Sequence, residues 1–209
     1  LSAAEVLELY NTKYCAAPVR PEGVMFYNAC CKTYQFCNGT DWVPIGSAPQ
    51  CTSGSLISDL VAHWKLDETS GATLYDTAGN HDATVSGLSL PGDSETGVID
   101  NAIHFYHGDH ANAGNITELQ GAAQATLSAW IRRENVSNRV RVGKNGDSDT
   151  DTFTIDLSGS EVSFKIGVSF NQMGFITLDD TSWHHFALVF DGTQTTDSDK
   201  LKGYVDGVE

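Results

Sequence analysis

The sequence predicts an all-β protein, and three observations support that prediction. Apolar and polar residues alternate along several runs, such as Phe153, Ile155 and Leu157, and turn-forming residues separate these runs. No long helical period interrupts the series, so an antiparallel two-sheet jelly-roll sandwich is the economical architecture. Five cysteines all fall in the first quarter of the 209-residue chain, which predicts a small separate module before the sandwich.

A short N-terminal helix is the first predicted element. Ser2 and Glu5 have the spacing of a capping box, and an amphipathic stretch continues to about Tyr10. At the other end, Asp206-Gly207 is a strong hairpin signal, but little sequence remains for a return strand. We therefore interpret both ends as cuts through a longer polypeptide, with a jelly roll that is incomplete at its C-terminus.

Residues 14–51 are predicted to form a small disulfide-stapled β module. β-rich runs at 24–27, 33–37 and 42–43 indicate short antiparallel hairpins. So short a unit needs disulfides or a metal to fold, and zinc is disfavoured because the segment has no Cys-x-x-Cys pair and no histidine. Disulfides imply an extracellular or cell-surface location. The disulfide candidates are Cys15, Cys30, Cys31, Cys37 and Cys51.

Residues 52–60 have the composition of a linker, and the jelly roll is expected to occupy residues 61–209. Its predicted strands have one apolar and one wet face, whereas residues 185–190 are apolar on both faces and predict a central covered strand. The core faces are expected to comprise Ala62, Trp64 and Leu66; Leu127, Ala129 and Ile131; Phe153, Ile155 and Leu157; and Val162, Phe164, Ile166 and Val168.

The net charge of -15 excludes some classes of partner. Nucleic-acid binding needs Lys and Arg to displace counterions from phosphates, and an anionic membrane surface is disfavoured for the same reason. No apolar run approaches the ~18 to 20 residues of a membrane span. We expect neither nucleic-acid binding nor membrane insertion.

Five motifs link this chain to a known family. In order and spacing they resemble a laminin-G-like domain of the concanavalin A-like lectin/glucanase superfamily, and they lie at 64–71, 75–80, 126–131, 183–192 and 204–207. The same family commonly ends in a helix similar to residues 1–11, so the resemblance implies that residues 1–13 close a preceding copy in a tandem array. The cysteine module is similar to a small module found between domains of bacterial extracellular proteins.

The resemblance raises the question of catalysis, because the fold class includes glucanases. Those enzymes place two carboxylates on alternate residues of one strand, and no Glu-x-Asp-x-Glu pattern occurs here. Adjacent pairs such as Asp67-Glu68 and Asp179-Asp180 would face opposite sides of a strand. We predict no catalytic residues, and we interpret His184 and His185 as structural residues on opposite faces.

Calcium is the cofactor that the loops of this sequence suit best. Loops rich in Asp, Asn and Gly supply the oxygen ligands that Ca²⁺ prefers. The resemblance implies a calcium-holding turn in which Asp76 is the charged ligand and Asn80 adds an oxygen. An Asx turn with solvated carboxylates is the alternative, and residues 147–151 match an EF-hand loop only weakly.

These observations predict a non-catalytic extracellular recognition or adhesion module that binds carbohydrate or a surface protein. Trp130 is the best aromatic candidate for a sugar site, with core packing as the alternative, and the loop containing His107, Asp109, His110 and Asn112 is the polar candidate. A structural spacer repeat is the alternative function. A glycoside-active enzyme fragment is the least favoured.

Overall fold

The computed structural model describes residues 25–28, 33–37, 42–44, 60–144, 153–167 and 176–209. These residues form antiparallel sheets with almost no helix, which confirms the predicted all-β class. The strands are β1 (Met25–Asn28), β2 (Thr33–Cys37), β3 (Trp42–Pro44), β4 (Thr73–Leu74), β5 (Ala83–Ser86), β6 (Ser94–Thr96), β7 (Asn101–Ile103), β8 (His110–Asn112), β9 (Gln124–Ile131), β10 (Val140–Lys144), β11 (Phe153–Ser158), β12 (Glu161–Ile166), β13 (Ile176–Thr177), β14 (His184–Asp191) and β15 (Leu201–Val205). A 3-10 turn covers Thr117–Leu119, and the helix α1 covers Asp197–Lys200.

The predicted cysteine module contains the sheet β1-β2-β3, in which both neighbouring pairs are antiparallel. The strands agree with the runs read from the sequence. Several predictions lie outside the described residues: the helix at 2–10, residues 52–59 of the linker at 52–60, the weak EF-hand match at 147–151 and the core position Val168. The side chains of the five candidate disulfide cysteines lie outside them as well.

A two-sheet sandwich forms the C-terminal unit, Ala122–Glu209. One sheet has the order β10-β11-β12-β13 and the other the order β15-β14-β9. Their facing sides pack into one apolar core, because alternate residues of each strand point to the same side. The buried core residues are Ile131, Ile155, Leu157, Val162, Phe164, Phe186, Leu188 and Leu201.

Strand β14 lies in the middle of its sheet, as its apolar sequence predicts. It pairs with β9 on one side and with β15 on the other. Phe186 and Ala187 point to opposite faces and both have 0% exposure. A strand covered on both faces carries a continuous apolar run rather than an alternating one.

The predicted wet faces of β11 and β12 are not wet. Thr154, Asp156 and Ser163 are all buried, and Asp156 is only 1% exposed. The Asp156 carboxylate accepts hydrogen bonds from Arg139 and Lys165, so burial of its charge is compensated. Alternation assigned these residues to the correct face, but it does not show whether that face is covered.

The N-terminal unit, which ends at Gly121, contains the sheets β4-β5-β8 and β6-β7. Its buried core consists of Leu74, Ala83, Val85 and Ile103. The predicted strand through Ala62, Trp64 and Leu66 was wrong. Trp64 and Leu66 do pack against this core, but Leu66 has a positive φ of 62°, which interrupts extended backbone, and Trp64 makes only an isolated bridge with Asp76.

The hairpin predicted at Asp206-Gly207 is present. Both residues have positive φ, 51° and 77°, as a type I′ turn requires. Val205 and Val208 exchange backbone hydrogen bonds of 2.9 and 3.0 Å across the turn. The turn therefore reverses the chain directly after β15.

Candidate functional site

An exposed aromatic residue stands on the loop between β7 and β8 in the N-terminal unit. The Tyr106 ring stacks on the His104 ring with centroids 4.1 Å apart and an interplanar angle of 17°. Tyr106 is 54% exposed, and the neighbouring Phe105 is also exposed. We call residues 104–112 the Tyr106 loop.

The Tyr106 loop is held by a tight turn. The Tyr106 amide donates to Asp109 Oδ2 at 2.9 Å, and the Asp109 amide donates to the Tyr106 carbonyl at 3.0 Å. Gly108 supplies a positive φ of 96°. A Cβ at Gly87 would lie 1.9 Å from Asp109 Oδ1, so this glycine lets the loop approach β5 closely. The aromatic pair is thus displayed from an ordered support.

The four polar residues predicted for this loop divide into two groups. Asp109 is turned inward and fixes the loop, and Asn112 Oδ1 accepts the Gly114 amide at 2.8 Å. His107 and His110 are exposed, and His110 Nδ1 lies 3.3 Å from the Gly108 carbonyl oxygen. The structure therefore places all four within the Tyr106 loop, where His110 and Asn112 belong to β8, and both imidazoles are accessible.

A polar strip continues from this loop across two strands. In β5 and β8, Ser86 is opposite His110 and Thr84 is opposite Asn112. All four residues are exposed, and because they occupy alternate positions they share one face of the sheet. This polar strip (Thr84, Ser86, His110 and Asn112) and Tyr106 belong to the same unit, and only about four residues separate the aromatic ring from β8 along the chain.

Trp130 lies elsewhere, in β9 of the C-terminal unit. It faces away from Leu127, Ala129 and Ile131, as its position in the alternation predicts, and it is half-buried. Its ring lies 5.2 Å from the ring of His185, the residue opposite it in β14. His185 is buried, and its Nε2 lies 2.8 Å from Ser128 Oγ. These contacts favour the packing alternative for Trp130.

The two predicted calcium residues lie in the loop after β4. Asp76 Oδ1 accepts the amides of His63 and Ala78, at 2.8 and 2.9 Å, and Oδ2 accepts the amide of His81 at 3.1 Å. Burial raises the pKa of Asp76, but hydrogen bonds from these amides and from that of Gly79 outweigh it and hold the pKa far below its usual value. Asn80 is exposed.

This geometry gives the Asp76 carboxylate a loop-organising role. The bond to Ala78 is the two-residue spacing of an Asx turn. A carboxylate offers about four lone-pair positions, and the backbone amides of four residues interact with this one. Within the part of the chain that the structure describes, no group of three or more His, Cys, Asp or Glu side chains is arranged to hold a metal ion.

The carboxylates considered for glycoside cleavage have other partners. Asp67 Oδ1 accepts the amide of Asn101 at 3.0 Å, and Glu68 Oε1 accepts the amide of Tyr75 at 2.8 Å. Asp180 contacts His184. Each of these groups therefore organises the chain around it.

Comparison with known proteins supports the family suggested by the motifs. A family model described as the concanavalin A-like lectin/glucanases superfamily, laminin G type, matches residues 105–209. The chain belongs to this superfamily. No curated protein and no solved structure shows a significant match to it. Domains of this superfamily often bind carbohydrate or serve a structural purpose, and among the described residues no helix is long and apolar enough to cross a membrane.

The loop at 104–112 was singled out from its polar residues, and Tyr106 was not among the residues selected. The available signal was an aromatic pair, Phe105-Tyr106, followed by the turn-forming His107-Gly108-Asp109. An aromatic residue at a turn has few neighbours to bury it, so its ring is a candidate for exposure.

Proposed function

We propose that the chain is a non-catalytic recognition module that binds carbohydrate through the Tyr106 loop and the adjoining polar strip. The observation that carries this proposal is the exposed Tyr106 ring, which stacks on His104 and lies beside the exposed Phe105 and the polar residues of the loop. An exposed aromatic ring favours a recognition surface over a structural spacer repeat, because a spacer has no use for an exposed ring.

The chemistry of a pyranose suits this arrangement. One face of many sugar rings presents C–H groups, which pack favourably on the flat face of an aromatic ring. The hydroxyl groups at the ring's edge need donors and acceptors, and sugar sites place a few polar groups beside the aromatic. His107, His110 and Asn112 offer such groups, and Ser86 and Thr84 extend them along β5.

The absence of catalysis is part of the proposal. Retaining glycosidases need two carboxyl groups about 5 to 5.5 Å apart flanking the scissile bond. In the Tyr106 loop the acidic side chain is Asp109, and its carboxylate is committed to the Tyr106 amide. Binding without bond cleavage is what the described groups of this loop support.

The setting we propose is extracellular or at a cell surface, in a tandem multidomain protein concerned with adhesion. The clustered cysteines support this setting through the disulfides they predict. A surface protein is the second class of partner, and a spacer repeat is the alternative role. Calcium binding through Asp76 and Asn80 stays a prediction from the family resemblance, and the Asx turn, to which the amide contacts of Asp76 conform, is its alternative.

A glycan panel tests the proposal. The whole chain is applied to immobilised neutral and acidic oligosaccharides, once with calcium and once with a chelator, and any binder is then titrated by calorimetry. Tyr106→Ala should weaken binding at least tenfold, because stacking beyond area burial contributes on the order of 1 kcal/mol and the apolar area adds more. His104→Ala should weaken it less, since it removes only the support for the ring.

Tyr75→Ala is the matched control. Tyr75 is 58% exposed, close to the value for Tyr106, and it belongs to the same unit, so its loss changes surface aromatic content equally. Equal loss of binding in the two variants would refute a site centred on Tyr106. Absence of glycan binding by a folded wild-type chain would leave the spacer or protein-adhesion role.

A further inference from the structure

One imidazole in the C-terminal unit lies between two carboxylates. His184, the first residue of β14, has its Nδ1 2.7 Å from Asp206 Oδ2 and its Nε2 2.9 Å from Asp180 Oδ1. The His184 side chain is only 15% exposed, whereas Asp180 is half-exposed and Asp206 is partly exposed. Both ring nitrogens are therefore committed to acidic partners.

This geometry constrains the charge of the ring. A neutral imidazole has one donor nitrogen and one acceptor nitrogen, and an ionised carboxylate can only accept. Both short contacts are favourable together only when the ring is protonated. Burial lowers the pKa of His184, but the hydrogen bonds and charges of Asp180 and Asp206 outweigh it and raise the pKa above 6.5. The hydrogen bond from His184 in turn lowers the pKa of Asp180.

The ring connects three parts of the chain. Asp206 belongs to the type I′ turn after β15, and it also accepts the His185 amide through Oδ1 at 3.0 Å and donates its own amide to the His185 carbonyl at 2.8 Å. Asp180 lies in the segment between β13 and β14, where its Oδ1 accepts the Ser182 amide at 2.7 Å. His184 thus joins the turn and this segment to the start of β14.

Among the described residues, the charges that raise the pKa of His184 are those of Asp180 and Asp206, and Arg133 interacts electrostatically with Asp180. Phe186 meets the His184 ring edge-on at 6.4 Å, and β9 places the apolar Ile131 opposite it. The next residue of that chain segment, Arg132, has its guanidinium 5.2 Å from the centre of the Trp183 ring. The interactions that set the charge of His184 are those with Asp180 and Asp206.

We infer that His184 is a protonation-dependent clamp, which fixes the Asp206-Gly207 turn and the Asp180 segment to β14 while the ring is charged and holds both less tightly when the ring is neutral, because a neutral imidazole has one donor nitrogen and no charge. A group whose pKa is raised on folding contributes stability that is fully present below its unfolded pKa and is lost as the pH rises through its folded pKa. The clamp is therefore closed below pH 6.5 and opens as the pH rises through the folded pKa of His184, which is raised above that value. It involves none of the groups of the Tyr106 loop, so it is independent of the proposed function.

Histidine titration and amide exchange on the whole chain test the clamp. The His184 ring signal should titrate with a midpoint above 6.5 in NMR spectra of ¹³C-labelled histidine. Over the same pH range, the protection factors of the Val205, Asp206 and Val208 amides should fall several-fold after correction for the intrinsic rise in exchange rate. A His184 midpoint at or below 6.5, or protection that is unchanged through the titration, would overturn the proposal.

Variants separate the clamp from general pH effects. His184→Gln cannot titrate, so it should abolish the pH dependence of protection at the turn, and persistence of that dependence would count against the clamp. Asp180→Asn removes one half-exposed carboxylate and should lower the His184 midpoint without unfolding the chain. Asp179→Asn makes the same change of charge one residue away and should leave the midpoint in place. Equal midpoints in the Asp179 and Asp180 variants would also overturn the proposal.

Discussion

Lys165 Nζ lies 2.7 Å from Asp156 Oδ2, on a sheet face that the sequence pattern predicts to be wet and the structure shows to be buried. Arg139 completes the arrangement with two hydrogen bonds of 3.0 and 2.7 Å, one to each carboxylate oxygen. Burial raises the pKa of Asp156, but the hydrogen bonds from Arg139 and Lys165 outweigh it and lower the pKa to about 2. The carboxylate therefore stays charged inside the sheet.

Asp156 should make stability depend on pH in the acid range. Its pKa falls from 3.8 to about 2 on folding, so its contribution is present above pH 3.8 and is lost as the pH drops through 2. The shift corresponds to roughly 2 kcal/mol. Denaturant titrations of wild type and Asp156→Asn should differ by about that amount or more at pH 7, and the difference should shrink between pH 4 and pH 2. A difference that stays constant down to pH 2 would contradict this assignment.

Arg133 is predicted to be a structural residue of the C-terminal unit. Its buried guanidinium donates to three carbonyl oxygens, those of Gly159 at 2.5 Å, Leu178 at 2.9 Å and Val136 at 3.1 Å. Arg133→Met keeps the apolar stem but leaves these acceptors without the donor, so the free energy of unfolding should fall by about 3 kcal/mol. Arg133→Lys should restore less than half, because a point-like ammonium lacks the planar fork. Urea titrations of the three proteins measure this, and a Met variant as stable as wild type would refute it.

The sequence predicts strands better than it predicts their surroundings. Alternation located β9, β11 and β12 because every second side chain of a strand faces the same side, and a continuous apolar run located β14; both patterns follow from local geometry. What lies over a face depends on residues distant in the chain, so burial of Asp156 by its basic partners could not be read from the pattern. The failed strand at Leu66 has a related cause, since a positive φ of 62° is uncommon for a residue with a side chain and is not expressed in the apolar pattern.

In the candidate site too, locally determined features were predicted and features that depend on distant residues were not. The Asp206-Gly207 turn was predicted because its requirement for positive φ is expressed by two adjacent residues. The exposed Tyr106 ring and the contacts of His184 were not predicted. The stacking of Tyr106 on His104 and the approach of Asp180 and Asp206 to His184 are properties of the folded chain. Family resemblance supplied the likeness of the loops but not the orientation of individual side chains.

Gly203 should be required by the packing of Phe164 from the facing sheet. A Cβ at position 203 would lie 2.2 Å from Phe164 Cδ2, well inside contact distance. Gly203→Ala should therefore lower stability by about 1 to 3 kcal/mol through overpacking. Phe164→Leu should be destabilising alone but should recover part of the loss in the double variant, and thermal unfolding of all four proteins gives the coupling energy. Strictly additive effects would show that the ring does not account for the glycine.

The contacts of the Asp76 carboxylate are those of a hydrogen-bonded turn and not those of a calcium site. Backbone amides contributed by His63, Ala78 and His81 converge on its two oxygens, and a Cβ at Gly79 would lie 2.9 Å from Oδ2 and 2.5 Å from the Val61 carbonyl oxygen. The loop is thus closed around the carboxylate by groups of its own chain. A bound cation would have to replace amide donors, at the cost of leaving them unpaired.

We therefore expect the stability contribution of Asp76 to be independent of calcium. Asp76→Ala should lower the free energy of unfolding by about 1 to 2 kcal/mol, because several partly solvent-exposed amides lose an ionised acceptor. Asp76→Asn should lose less, since one acceptor oxygen remains, although its NH₂ group would face an amide donor. Melting temperatures of all three proteins are measured in millimolar calcium and again in a chelator. Asn80→Ala is the matched control, because it removes the second predicted ligand without touching these amide contacts. If calcium raises the melting temperature of wild type but not of Asp76→Asn or Asn80→Ala, the two residues form the metal site that the family resemblance implies, and the turn interpretation is wrong.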